Sequence, residues 1–219
     1  MAGDRHSVAE QLNLITDPQE KARREAENGV RQYAVALDNI RTHVHDADRP
    51  FRLRSSTILR LHKEVLDGIH VLAGTFRNTP VKIGGSGHEP VEAFMVSEET
   101  EHLCEYVNDN WSTKSALHLA AYVLWRLNWI HPFADGNGRT ARTVSYVVLS
   151  IKLDSLLPGV PTIPDQIASD KTPYYLALEA ADSVWKATQQ VDVTRLESML
   201  EGMLAKQLVA AVSSAAVAT

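Results

Sequence analysis

The 219 residues carry 22 Lys+Arg against 27 Asp+Glu, a formal net charge of −5, with 44% hydrophobic residues and one cysteine. That balance excludes disorder over most of the length, a disulfide framework and the basic surface of a nucleic-acid binder. No stretch reads as a signal peptide or a membrane span, so a cytoplasmic protein with no membrane partner is expected.

In chain order, residues 1–17 read as an N-terminal extension. Residues 18–45 have helical charge density, with Val30, Tyr33, Ala34, Leu37 and Ile40 along the expected buried face. A second helix is expected over 56–72 from Ile58, Leu61, Val65, Ile69 and Leu72, closed by Gly74. Residues 80–96 differ: Val81 and Ile83 alternate with polar neighbours, a glycine-rich break follows, and Val91, Ala93 and Met95 resume the alternation. That pattern predicts a small hairpin. Ser97, Glu98 and Glu99 then read as a helix start. Residues 115–130 are apolar nearly all round, which marks a central helix, and Pro132 ends it. Helices are further expected over 139–151, over 172–187 with Pro173 in its first turn, and over 193–212. Residues 213–219 are expected to fray.

The chemistry is concentrated in residues 131–142, His-Pro-Phe-Ala-Asp-Gly-Asn-Gly-Arg-Thr-Ala-Arg. A polar, glycine-rich loop between two apolar helices needs an external partner. Gly136 and Gly138 allow successive N–H groups to point one way at the opening of a helix, which makes an anion site, most simply a phosphate site. Arg139 and Arg142, three apart, add two charged forks suited to phosphate oxygens. Asp135 is a hard oxygen ligand suited to magnesium. His131 titrates near neutrality and can take a proton from a hydroxyl. Phe133 reads as an apolar plug that fixes the loop to the core.

This segment resembles the signature of the Fic family, His-Pro-Phe-x-Asp/Glu-Gly-Asn-Gly-Arg-x-x-Arg, at every fixed position. The similarity extends to LHKEVLDGIHVLAGTFR upstream, ALHLAAYVLWRLNW before the motif and YYLALEAAD after it. The resemblance implies an all-α fold, a Fic-type helical bundle over residues 18–212 with a small β-hairpin flap over the active site. It also implies a Mg2+-dependent protein adenylyltransferase that moves AMP from ATP to a Ser, Thr or Tyr hydroxyl of a target protein and releases pyrophosphate.

By position, His131 is then the general base and Asp135 the Mg2+ ligand. Gly136, Asn137 and Gly138 cradle phosphates, while Arg139 and Arg142 bind the β- and γ-phosphates. Tyr174 and Tyr175 are adenine-side candidates. The flap, over residues 89–96, would pair with an extended segment of the target, with Val91 and Phe94 as clamps. Other readings are transfer from a different nucleotide, phosphorylation, removal of AMP, and a non-catalytic binding module of the same fold. Gly138-Arg139 departs from the Ala-Asn-Lys character of the Doc-like kinases.

Many relatives carry an inhibitory helix reading Ser/Thr-x-x-x-Glu-Gly/Asn. Glu27-Asn28 and Glu201-Gly202 match it in part, but Arg23 and Glu197 stand four residues earlier. The expectation is therefore no inhibitory helix in this chain. Activity would be unrestrained and toxin-like, or restrained by a separate antitoxin-like partner or a homodimer.

Overall fold

The computed structural model describes residues 5, 7–8, 13–46, 48 and 50–217. Its architecture follows from one helix that has almost no polar side. Ala116–Ile130 buries eleven of its residues, among them Leu119, Val123, Leu124, Leu127 and Ile130. Ser115 caps its start by accepting the His118 N–H at 3.0 Å. A helix apolar all round must be enclosed, and this one is packed by the helices Val96–Asp109, Asn137–Lys152, Thr172–Thr188 and Thr194–Val217. In chain order the elements are β1 (Ser7–Val8), α1 (Pro18–His43), α2 (Ser55–Leu66), β2 (Lys82–Ile83), a 3-10 turn (Ala93–Met95), α3 (Val96–Asp109), α4 (Ala116–Ile130), α5 (Asn137–Lys152), α6 (Ile163–Ser169), α7 (Thr172–Thr188) and α8 (Thr194–Val217). The fold is all-α. Among the described residues no helix is long and apolar enough to cross a membrane.

α1 and α2 pack on each other and on α5. The expected apolar face of α1 is buried only toward its end: Ile40 is buried and Leu37 packs half-buried on the core, but Val30 is 72% exposed and Tyr33 and Ala34 lie at the surface, while Asn28, Gln32 and Ala36 complete with Ile40 a buried row at four-residue spacing. Polar Asn28 goes inside because its amide donates to the carbonyls of Val65 at 3.1 Å and Asp67 at 2.9 Å, satisfying the open C-terminal end of α2. Gln32 donates to the Leu61 carbonyl at 3.2 Å and accepts from the Thr143 hydroxyl at 3.1 Å. α2 stops at Leu66 rather than 72, and Gly68 takes a left-handed φ of +70° two residues later.

The hairpin expected within residues 80–96 is not formed by that segment alone. β2 takes its partner from β1, antiparallel, with Ser7 opposite Ile83 and Val8 opposite Lys82. Pro90 has no N–H to offer a strand ladder. The Val91 carbonyl is taken by the Arg77 guanidinium, and the chain then enters the 3-10 turn. The other end of the extension is also attached, the Leu14 N–H donating to the Ile69 carbonyl at 2.8 Å. Residues 1–4, 6 and 9–12 of that extension lie outside the described residues.

α6 was not expected from periodicity. It is seven residues long and opens on a reciprocal Thr162–Asp165 capping box. Residues 213–217, expected to fray, continue α8, and 218–219 lie outside the described residues. Cys104, on α3, is buried, and burial pushes its thiol up to about 12.

Candidate active site

The loop between α4 and α5 is held from three sides. α4 ends at His131, whose φ of +51° turns the chain sharply so that Pro132 can follow. A buried arginine fixes that turn. The Arg77 guanidinium donates from Nε to the His131 carbonyl at 2.8 Å and from Nη1 to the Thr79 carbonyl at 3.1 Å, and the Arg77 N–H donates to the Pro132 carbonyl at 2.9 Å. It therefore satisfies carbonyls of the α4 terminus and ties the loop to the flap segment.

From α2, buried His62 stacks flat on Phe133, ring centroids 3.6 Å apart. Its Nδ1 accepts the Gly74 N–H at 3.1 Å, so Nε2 carries the proton and donates to the Asp135 carbonyl at 3.0 Å. Both bonds need the neutral ring, and burial lowers its pKa to about 4, with Arg139 lowering it further and Asp135 opposing. Phe133 is wholly buried, as a plug should be. Asn137 closes the loop from within: its Oδ1 accepts the Phe133 N–H at 2.9 Å and its Nδ2 donates to the Phe133 carbonyl at 2.8 Å. Gly136 has a φ of +76°, and a Cβ there would stand 3.1 Å from Val65 Cγ1 and 3.4 Å from His62. Only glycine fits both the backbone and the space.

The first ladder bond of α5 runs from the Thr140 N–H to the Gly136 carbonyl at 3.0 Å. The N–H groups of Asn137, Gly138 and Arg139 precede it at the positive end of the helix dipole. The Asp135 carboxylate accepts the Gly136 N–H at 2.6 Å through Oδ1 and stands 3.5 Å from Arg139 through Oδ2. Among the described residues no three His, Cys, Asp or Glu groups gather as a metal cage. One accessible carboxylate beside an anion cradle suits Mg2+, which takes much of its shell from phosphate oxygens and water.

His131 is buried, and its Nε2 lies 2.9 Å from the Ser7 hydroxyl on β1. Burial pushes the imidazole down to about 3, with Arg77 and His88 adding to the effect and the Asn128 backbone carbonyl and Asp135 working against it. The ring is neutral at physiological pH.

A cavity of about 470 Å3 opens here, and it gathers the candidates from the sequence. His131 and Asp135 line it, as do Gly136, Asn137 and Gly138, Arg139 and Arg142 from α5, and Tyr174 and Tyr175 from α7. The two tyrosine rings lie 5.5 Å apart, both buried. Val91 and Phe94 are not among the lining residues: Val91 is half-buried against the core, and Phe94 is 84% exposed on the 3-10 turn. Ile83, Ser86 and His88 of the same segment line the cavity instead. His88 is held by the Trp129 carbonyl, 2.7 Å from its Nε2.

Glu27 faces outward, paired with Arg23 and Arg24, and Glu201 is exposed on α8. The carboxylate that does reach the loop is Glu25, which lines the cavity and stands 3.2 Å from Arg139. Glu25, His62, Arg77 and Ser7 were not singled out by sequence reasoning. Only the upstream similarity, which contains His62 and Arg77, carried a signal for any of them.

Residues 52–149 match the family described as Fic/DOC. The chain is 32% identical over 127 residues to "Protein adenylyltransferase fic-1" of Caenorhabditis elegans and 34% identical over 131 residues to "Protein adenylyltransferase Fic" of Drosophila persimilis. Each match spans 57% of this chain and 23% of the relative, so the chain corresponds to about a quarter of those proteins. Among solved structures, Fic-1 (residues 134–508) from C. elegans superposes over 94% of this chain and 55% of its own, with a TM-score of 0.69 at 20% identity. BepC from Bartonella tribocorum, solved with bound AMPPNP, superposes over 86% of this chain and 88% of its own, with a TM-score of 0.51 at 16% identity.

Proposed function

From the premise that this chain belongs to the Fic/DOC family, we propose that it is a protein adenylyltransferase that moves AMP from ATP to a hydroxyl side chain and releases pyrophosphate. One observation carries the reading: a neutral, buried His131 presents Nε2 to a hydroxyl oxygen at 2.9 Å, at the mouth of a helix-terminal anion cradle. The names of the curated relatives and the AMPPNP bound to BepC support it.

The α5 N–H groups with Arg139 and Arg142 bind and orient the triphosphate, whose developing charge they stabilise in place. His131 accepts the hydroxyl proton at Nε2. The approach of the polyphosphate favours the imidazolium that forms. Asp135 would hold Mg2+, which would supply charge neutralisation at the phosphates. Tyr174 and Tyr175 form the wall against which the base of the nucleotide packs. The β2 edge, rather than Val91 and Phe94, orients the acceptor segment.

The reaction is tested with ATP labelled at the α- or the γ-phosphate, Mg2+ and cell lysate. Label enters protein only from the α position, and His131→Ala abolishes the transfer. Transfer from the γ position would instead establish a kinase.

A further inference from the structure

We propose that Ser7 is an acceptor hydroxyl of this enzyme, so that the chain adenylylates its own β1 strand in cis. The inference rests on the adenylyl-transfer reading above and adds the identity of a substrate.

Three independent contacts set β1 as a substrate segment would be set. The strand adds to the β2 edge of the flap in antiparallel register, Ser7 opposite Ile83. Such main-chain pairing holds an extended segment whatever its side chains. Upstream, Arg5 anchors it: its N–H donates to the Tyr175 hydroxyl at 3.2 Å, and its guanidinium lies 4.3 Å over the Tyr175 ring and pairs with Glu179. Between these two attachments the Ser7 hydroxyl meets the loop. Asn137 Nδ2 stands 3.3 Å from Oγ and donates to it, while Oγ lies 2.9 Å from His131 Nε2.

The roles follow from the donors. Asn137 uses an N–H, so Oγ accepts there, and the Ser7 proton is directed to Nε2. One lone pair of Oγ is left for attack. A hydroxyl within hydrogen-bond reach of a neutral base and touching the first residue of the phosphate-binding helix meets the geometric requirement for a nucleophile.

Oγ forms a bond to the α-phosphorus of ATP, and the bond from that phosphorus to the bridging oxygen of the β-phosphate breaks. Pyrophosphate leaves, and the proton passes to His131 and from there to water. The product is a phosphodiester joining Ser7 to AMP. Because acceptor and base share one chain, the rate is first order and independent of protein concentration, and no more than one AMP is added at this position.

The test incubates the whole purified chain with Mg2+ and α-labelled ATP and follows pyrophosphate release, intact mass and the modified residue by fragmentation. The expected result is one adenylyl group on Ser7, appearing at a rate unchanged by tenfold dilution. It is absent in Ser7→Ala and His131→Ala and restored by Ser7→Thr. Pyrophosphate release without an adduct on Ser7, or an adduct whose rate falls with dilution, overturns the proposal and leaves the transferase reading intact. Absence of both pyrophosphate and adduct, with lysate also present, removes the transferase reading and this one with it.

Discussion

His62 shows how much of the site depends on a side chain that does no chemistry. It binds Gly74 and the Asp135 carbonyl only as a neutral ring, and its pKa sits at about 4 against 6.5 for the free side chain. A histidine whose folded pKa is depressed loses its contribution as pH falls: the unfolded chain takes up a proton near pH 6.5, while the folded chain resists until about 4. This ring alone makes about 3 kcal/mol of stability acid-sensitive between those values. Urea unfolding at several pH values should show stability falling from pH 6.5 to 4, and His62→Gln, which does not titrate, should flatten that fall. An unchanged slope would remove His62 from the account. That the motif residues would share one cavity was legible in the sequence because they are contiguous, twelve residues carrying the histidine, carboxylate, glycines and arginines. His62, Arg77 and Glu25 were not, because each reaches the loop from a separate element and no local pattern marks a side chain that will meet a distant carbonyl or guanidinium.

At the scale of elements, α1 carries two signals of different kinds. Periodicity fixed its length well, residues 18–45 against the observed Pro18–His43, but found only part of its buried face, Ile40 and half-buried Leu37. A hydrophobic count cannot foresee that Asn28 is buried to satisfy the carbonyl end of α2, or that Gln32 is buried between the Leu61 carbonyl and the Thr143 hydroxyl. α6 escaped because seven residues give no period, although its Thr162–Asp165 capping box was present in the sequence. The flap was found as a strand and glycine break, yet its pairing partner lies some 75 residues away, a distance over which alternation says nothing. The same rotation of α1 brings Glu25 against Arg139. That pair is partly exposed, so its worth is about 0.2–1 kcal/mol. Glu25→Ala should leave Asp135 as the guanidinium's remaining carboxylate partner and tighten ATP binding by roughly 1.5- to 5-fold, as read by calorimetric titration of nucleotide. Glu27→Ala, on the outer face, serves as the control and should leave the affinity unchanged.

For the molecule as a whole, a net charge of −5 surrounds a cavity whose lining sets Arg5, Arg139, Arg142 and Lys171 against Glu25, Asp135 and Asp182. The local field, not the overall charge, admits an anion. Filling that cavity couples α1, α4, α5 and α7, so nucleotide should stabilise the fold rather than a single loop. At a hundred times its dissociation constant, Mg2+-ATP adds about 2.7 kcal/mol. For a chain of this size that corresponds to a rise in Tm of roughly 5–10 °C. Scanning calorimetry should find the rise, lose most of it on chelation with EDTA, and lose it likewise in Asp135→Ala. A full shift in EDTA would show that the triphosphate binds without the metal.

Cys104 gives this protein a practical property. The one thiol of the chain is buried on α3 and held protonated far above neutral pH, so it is closed to alkylating reagents. The surface is therefore blank for sulfur-directed labels, and a single introduced cysteine becomes a unique address without prior removal of a native one. Lys82→Cys would place a fluorophore on the exposed β2 position opposite Val8, where its emission would report, in real time and without radioactivity, the departure of one strand from the other.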